Sequence, residues 1–150
     1  MKGGIDRLTE LFAARAAAHG ELTPEFEDDA VTAFSSDGTP VNFSYRAVAD
    51  TVIAWTAAGD APAADDEKRL SEALAANRYG TGTRGLTLAI MPEDLGFGRR
   101  LVVQDRRAAA FFDSVETLDA YIEEVAAVAR EYGTVEEKAD DGSDCVRIDA

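Results

Sequence analysis

The chain has 150 residues and a formal net charge of −14, from 15 Lys and Arg against 29 Asp and Glu. So acidic a chain repels the phosphates of nucleic acid and the headgroups of an anionic membrane, which excludes both as expected partners and favours a basic or amphipathic protein. A domain of this length buries about 70% of the surface its unfolded chain exposes, enough to fold without disulfides or a metal.

The single cysteine, Cys145, excludes an internal disulfide and suits a reducing compartment. It follows Asp140, Asp141 and Asp144, whereas a reactive thiolate needs positive neighbours. The first residues, Met1-Lys2-Gly3-Gly4-Ile5-Asp6, lack the apolar core of a signal peptide. Apolar runs such as residues 108–112 are too short to span a bilayer. The expected location is the cytoplasm.

Ile5, Leu8, Leu11 and Phe12 recur at helical spacing and run into an Ala-rich stretch, so a first helix is predicted, stopped by Gly20. Residues 26–34 suit a strand, and Asp37-Gly38 a turn. After Pro40, Val41, Phe43 and Tyr45 alternate with Asn42, Ser44 and Arg46, the period of a half-buried strand. The β-branched and aromatic run 51–56 makes the third strand of a meander, ended by Gly59-Asp60-Ala61-Pro62.

A second helix follows. Asp65, Asp66 and Glu67 suit its positive end, and Leu70, Ala73, Leu74 and Asn77 share one face. Strands are predicted over 85–91 and 100–104, joined by a turn-rich connector over 92–98. The stretch 106–112 suits either more sheet or the approach to the last helix. That helix opens on Asp113, with Glu116 completing a capping box, and carries the apolar stripe Leu118, Tyr121, Ile122, Val125, Val128, Ala129 and Tyr132. Gly133 is the expected stop. The expected fold class is therefore α+β, an antiparallel sheet with helices in the order α-β-β-β-α-β-β-α. The domain spans 1–133, and 134–150 forms an acidic, mobile tail in which Val146 and Ile148 suit a short strand.

No motif makes a persuasive catalytic, metal or cofactor site. Gly80-Thr-Gly-Thr-Arg-Gly85 matches GxGxxG, with Asp105 20 residues beyond. The dinucleotide fingerprint needs a strand before the glycines and a helix after them; here the order is reversed, and a helix C-terminus repels phosphate. Asp140-Asp-Gly-Ser-Asp144 lacks the closing glutamate of a calcium loop. His19, the only histidine, has no second imidazole to join in a metal or catalytic set. Arg99, Arg100, Arg106 and Arg107 flank a strand, either as protection of a sheet edge or as a contact for an acidic partner. The expectation is a binding protein with no cofactor, not an enzyme.

The order of elements, together with Leu70-Ser-Glu-Ala-Leu-Ala-Ala-Asn77, the following Gly85-Leu-Thr-Leu-Ala-Ile90, and Leu101-Val-Val-Gln-Asp-Arg106 leading to the long final helix, resembles the class I chaperones of bacterial type III secretion, the Tir chaperone family. The resemblance covers residues 4–133; the stretch before Pro40 is more weakly patterned. It implies a homodimer that holds the N-terminal chaperone-binding segment of a secreted effector in extended form, without ATP. The residues suited to meet that segment are Leu8, Leu11 and Phe12 on the first helix, Val41, Phe43 and Tyr45 on one strand, and Ile53 and Trp55 on the next. The alternative reading of each is ordinary core. Leu70, Leu74, Leu86 and Leu88 suit the dimer interface, with intramolecular packing as their alternative. The competing functional class is a regulatory or adaptor α+β module unrelated to secretion.

Overall fold

The structure, a computed structural model, describes residues 3–60, 67–77, 83, 85–91 and 100–141. In chain order the elements are α1 (Gly4–His19), β1 (Ala30–Phe34), β2 (Pro40–Arg46), β3 (Thr51–Asp60), α2 (Glu67–Asn77), β4 (Thr87–Met91), β5 (Arg100–Ala108) and α3 (Val115–Asp141). The strands form an antiparallel sheet in the order β1-β2-β3-β5-β4. The fold is thus α+β with the predicted sequence of elements. The chain divides into two compact units, residues 1–56 with 104–126 and residues 57–103 with 127–150.

In the first unit, the alternation read from the sequence is the alternation of burial. Val41, Phe43 and Tyr45 turn inward, as do Val31 and Ala33 of β1 and Val52 and Ala54 of β3. Val31 pairs with Phe43, and Phe43 with Ala54, so one inward side chain stacks beside the next across the three strands. Leu8, Phe12 and Ala16 of α1 and Leu118, Tyr121, Ile122 and Val125 of α3 are buried in the same unit. Phe43 lies at the centre. Its ring meets Phe12 at 5.1 Å, and Phe112 and Tyr121 at 6.2 Å each.

Polar ties fix the helices of this unit. Arg7 donates to the carbonyls of Phe112 (2.7 Å) and Ala109 (2.5 Å), holding α1 to the 3-10 turn Ala109–Phe111. Glu123 of α3 accepts from the Ser36 amide (2.7 Å) and hydroxyl (3.0 Å) at the β1–β2 turn. Tyr121 donates to Asp105 at 2.9 Å, and Arg107 Nε bonds the same carboxylate oxygen at 2.6 Å.

In the second unit, Leu86, Leu88, Leu101, Val102, Val103, Val128 and Ala129 are buried. Asn77, the last residue of α2, clasps β4. Its amide nitrogen donates to the Leu88 carbonyl at 2.9 Å, and its oxygen accepts from the Leu88 amide at 2.7 Å. The side chain thereby imitates a neighbouring strand for one residue.

The structure corrects several expectations. The first strand begins at Ala30, not at residue 26. Asp28 and Asp29 adopt left-handed conformations, φ 52° and 62°, and form the centre of a two-residue turn that breaks the strand. The cap of α3 is Ser114, whose hydroxyl accepts from the Thr117 amide at 3.1 Å, so the cap lies one residue beyond the expected Asp113. Gly133 does not stop α3, which runs to Asp141. One glycine in a helix interior costs only about 1 kcal/mol, and Glu136, Glu137, Lys138 and Ala139 are ready helix formers.

The open choice over 106–112 resolves as strand to Ala108, then the 3-10 turn. Edge protection by the arginines fails because β5 has a neighbour on each side. The side chain of Leu70, most of the GxGxxG segment, Arg99, Cys145 and residues 142–150 lie outside the described residues.

Candidate functional site

β1 ends the sheet, so one side of its backbone meets no strand among the described residues. The Tyr45 amide donates to the Asp29 carbonyl (2.8 Å) and the Ser35 amide to the Thr39 carbonyl (2.9 Å), which fixes the phase of the β1–β2 ladder. Odd-numbered residues bond inward to β2. Ala30, Thr32 and Phe34 turn their polar groups to the open side.

Two of these three are already engaged. Ala30 exchanges both bonds with Glu27, at 2.8 and 2.9 Å, across the Asp28-Asp29 turn. The Phe34 carbonyl accepts from Arg15 at 2.8 Å. What remains without a partner among the described residues is the Thr32 amide and carbonyl and the Phe34 amide.

A groove of about 630 Å³ opens beside these groups. One side is β1, from Ala30 to Phe34. The other is the segment 21–27, which leaves α1 at the left-handed cap Gly20 (φ 67°) and returns to β1 at the Glu27–Ala30 bridge. Phe26 anchors that segment by packing on Phe12 at 5.5 Å. Two large apolar side chains stand exposed in the groove, Leu22 at 95% and Phe34 at 51%.

Its floor is polar and fixed. Arg15 is only 4% exposed; its Nε bonds Asp119 at 2.5 Å and its Nη1 lies 3.9 Å from Glu21. His19 reaches the same Asp119 carboxylate at 2.9 and 3.0 Å, so the lone histidine is a structural partner of α3. A second hollow, also of about 630 Å³, lies by Asp28, Asp29, Arg46, Val48, Ile53 and Arg106.

The residues predicted to meet a partner divide by burial. Leu8, Phe12, Val41, Phe43 and Tyr45 are core and present almost no surface to a partner, because the face they share is the one covered by helices. Leu11 is half-buried. Ile53 and Trp55 are half-buried on the opposite face of the sheet, Trp55 across from Asn42. Of the eight, Phe43 and Trp55 line the groove and Tyr45 and Ile53 the second hollow.

Among the dimer candidates, Leu86 and Leu88 are buried within the chain, while Leu74 is 71% exposed. The sequence reading missed Leu22 and Phe34 as groove residues. Their one signal is position: an isolated leucine in an acidic, unpatterned segment, and an aromatic at a strand end. Among the described residues no group of three or more His, Cys, Asp or Glu is placed to hold a metal, and no helix is long and apolar enough to cross a membrane.

An acidic α+β chain with this helix–meander–helix–two-strand–helix order has the fold of the class I type III secretion chaperones. Three solved structures carry the comparison. A chain of the ExsC–ExsE complex superposes with a TM-score of 0.72 at 12% identity, over 89% of this chain and 96% of that one. A chain of the HopA1–SchA chaperone–effector complex gives 0.63 at 13% identity, over 85% and 93%. A chain of the complex of the Yersinia pestis type III secretion chaperone SycH with a stable fragment of YscM2 gives 0.61 at 13% identity, over 83% and 98%. No protein-family model matches the chain, and no curated protein matches it in sequence.

Proposed function

We propose that this chain is a secretion chaperone, not an enzyme, that holds the N-terminal chaperone-binding segment of a type III secreted effector in an extended, export-ready form. The observation that carries the reading is the open backbone of β1 at Thr32 beside an apolar groove, in a fold shared with chaperones solved in effector complexes. An extended segment adding to a sheet edge gains main-chain hydrogen bonds from the edge and affinity from apolar side chains that enter adjacent pockets. Leu22, Phe34 and Trp55 would supply the apolar contacts, with Leu11 and Ile53 as flanking surface. The working unit is a homodimer in the cytoplasm. Leu74, exposed on α2, is the dimer contact of first choice.

The test is coexpression with the N-terminal segment of an effector encoded beside this chain's gene, followed by copurification and light scattering. Wild type is expected to elute as a dimer with the segment bound. Thr32→Pro removes the outward amide and the hydroxyl bond to Asn42 (2.7 Å), while the ladder bonds to β2 fall at Val31 and Ala33. It should keep the fold and lose most of the segment. A monomer, or a Thr32→Pro protein that retains the segment undiminished, would count against the reading and favour the adaptor module.

A further inference from the structure

The wall of the groove opposite β1 is acidic as well as apolar. Glu21, Glu25 and Glu27 all line it and all are exposed. Among the described residues Arg15 is the only basic side chain lining the groove, and it is buried, with its guanidinium committed to Asp119 and the Phe34 carbonyl and 3.9 Å from Glu21. Glu25 and Glu27 have no ion-pair partner among the described residues. Asp28 and Asp29 extend the run of negative charge past the end of the groove. The groove therefore offers apolar contact and unpaired negative charge together.

An extended chain sends successive side chains to opposite sides, so a strand lying against Thr32 can present one residue type to the apolar surface and another to the acids. We propose that the segment this groove accepts is one in which apolar residues alternate with lysine or arginine, the apolar ones meeting Leu22 and Phe34 and the basic ones meeting Glu21, Glu25 and Glu27. This rests on the groove being the client site. A second copy of this chain is a poor occupant of this groove, because the acids that line it, Glu21, Glu25 and Glu27, would be repelled by the predominantly acidic copy. The acids also select by repulsion: an acidic segment of equal hydrophobicity is turned away.

The test uses the full chain and three labelled ten-residue peptides in fluorescence anisotropy, alternating valine with arginine, with glutamine or with glutamate. The arginine peptide is expected to bind about tenfold more tightly than the glutamine peptide at low salt, the summed effect of two or three exposed ion pairs. At about 1 M salt, where the screening length is about 3 Å, that advantage disappears. Glu25→Gln with Glu27→Gln should remove most of it and leave the glutamine peptide unaffected. Asp6→Asn with Glu116→Gln, exposed acids outside the groove, should leave it intact.

Equal binding of the arginine and glutamine peptides, or equal losses from both acid pairs, overturns the charge inference. If the glutamine peptide still binds and Phe34→Asp abolishes it, the groove reading survives that failure. If no peptide binds, or Phe34→Asp changes nothing, the groove reading falls and this inference with it.

Discussion

Arg15 joins three elements at one buried point, and replacing it with methionine is the sharpest test of how the groove is held. Its guanidinium bonds Asp119 of α3 at 2.5 Å and the Phe34 carbonyl of β1 at 2.8 Å while the side chain is 4% exposed. Hydrogen bonds to charged groups contribute about 1.5–3 kcal/mol each, and breaking a fully buried pair costs about 3–5 kcal/mol. Asp119 is 32% exposed and keeps His19 at 2.9 Å, so its loss is partial. Methionine retains most of the apolar packing.

The expected cost of Arg15→Met is therefore about 2–3 kcal/mol, or a Tm lowered by about 5–10 °C for a domain this size. Urea unfolding and scanning calorimetry read both quantities. Arg15→Lys should recover less than half, because an ammonium cannot reach the carboxylate and the carbonyl with a planar fork. A double-mutant cycle with Asp119→Asn should show coupling of about 1 kcal/mol or more. A loss below about 0.5 kcal/mol, or coupling near zero, would refute the claim that this cation organises the groove floor.

Two further outcomes follow from the bonding. Asn77→Ala leaves the Leu88 amide and carbonyl without their clasp; it should cost about 1–3 kcal/mol and speed hydrogen exchange at the Leu88 amide selectively. Tyr121 is held neutral, its pKa pushed far above the ordinary value by burial first and by Asp105 second. A phenol ionises near pH 10 when unfolded, so the contribution of Tyr121 to stability is complete below about pH 10 and is lost as pH rises above it. Unfolding free energies between about pH 9 and 11.5 should fall less steeply for Tyr121→Phe than for wild type; parallel curves would contradict this.

The elements were legible because their signals are local. Period-two alternation in Val41, Phe43 and Tyr45 fixed both strand and shared face, and the stripe from Leu118 to Tyr132 fixed the last helix. Which face is covered is not local. Nothing in residues 41–45 says that helices pack over that side, so the same alternation served equally for a core and for a groove. The ends also depend on context. Asp28 and Asp29 interrupt the strand because a bridge between Glu27 and Ala30 rewards the turn, and Gly133 is absorbed because helix formers follow it.

The groove itself was the least legible part. It depends on β1 being the end of the sheet, which is a property of strand order. Two of its walls come from the weakly patterned stretch after the first helix, where Leu22 and Phe34 carry no periodic signal. The arginine cluster shows the same limit. Its spacing suited an edge, yet Arg107 spends its charge on Asp105 and stacks over Phe111 at 4.6 Å, on a strand with two neighbours.

An unpaired edge is an aggregation hazard, and the way this one is narrowed bears on what it can bind. β1 is five residues long, the wall beside it carries Pro24, and acids surround it, all features that discourage indiscriminate pairing. Glu27 occupies the outward groups of Ala30, and Arg15 occupies the outward carbonyl of Phe34. Among the described residues, only Thr32 of β1 offers both a donor and an acceptor to the open side, with the Phe34 amide beside it. An arriving strand thus has one position on β1 at which it can exchange two bonds, and the fit of its side chains to the apolar and acidic surfaces chooses which of its residues stands there. A slip of one residue would turn every side chain to the other face, bringing basic side chains to Leu22 and Phe34 and apolar ones to the glutamates, so the two surfaces together discriminate between registers. Under the proposed function, edge protection and client selection are then the same feature: the groups that keep other strands away also confine an accepted strand to Thr32.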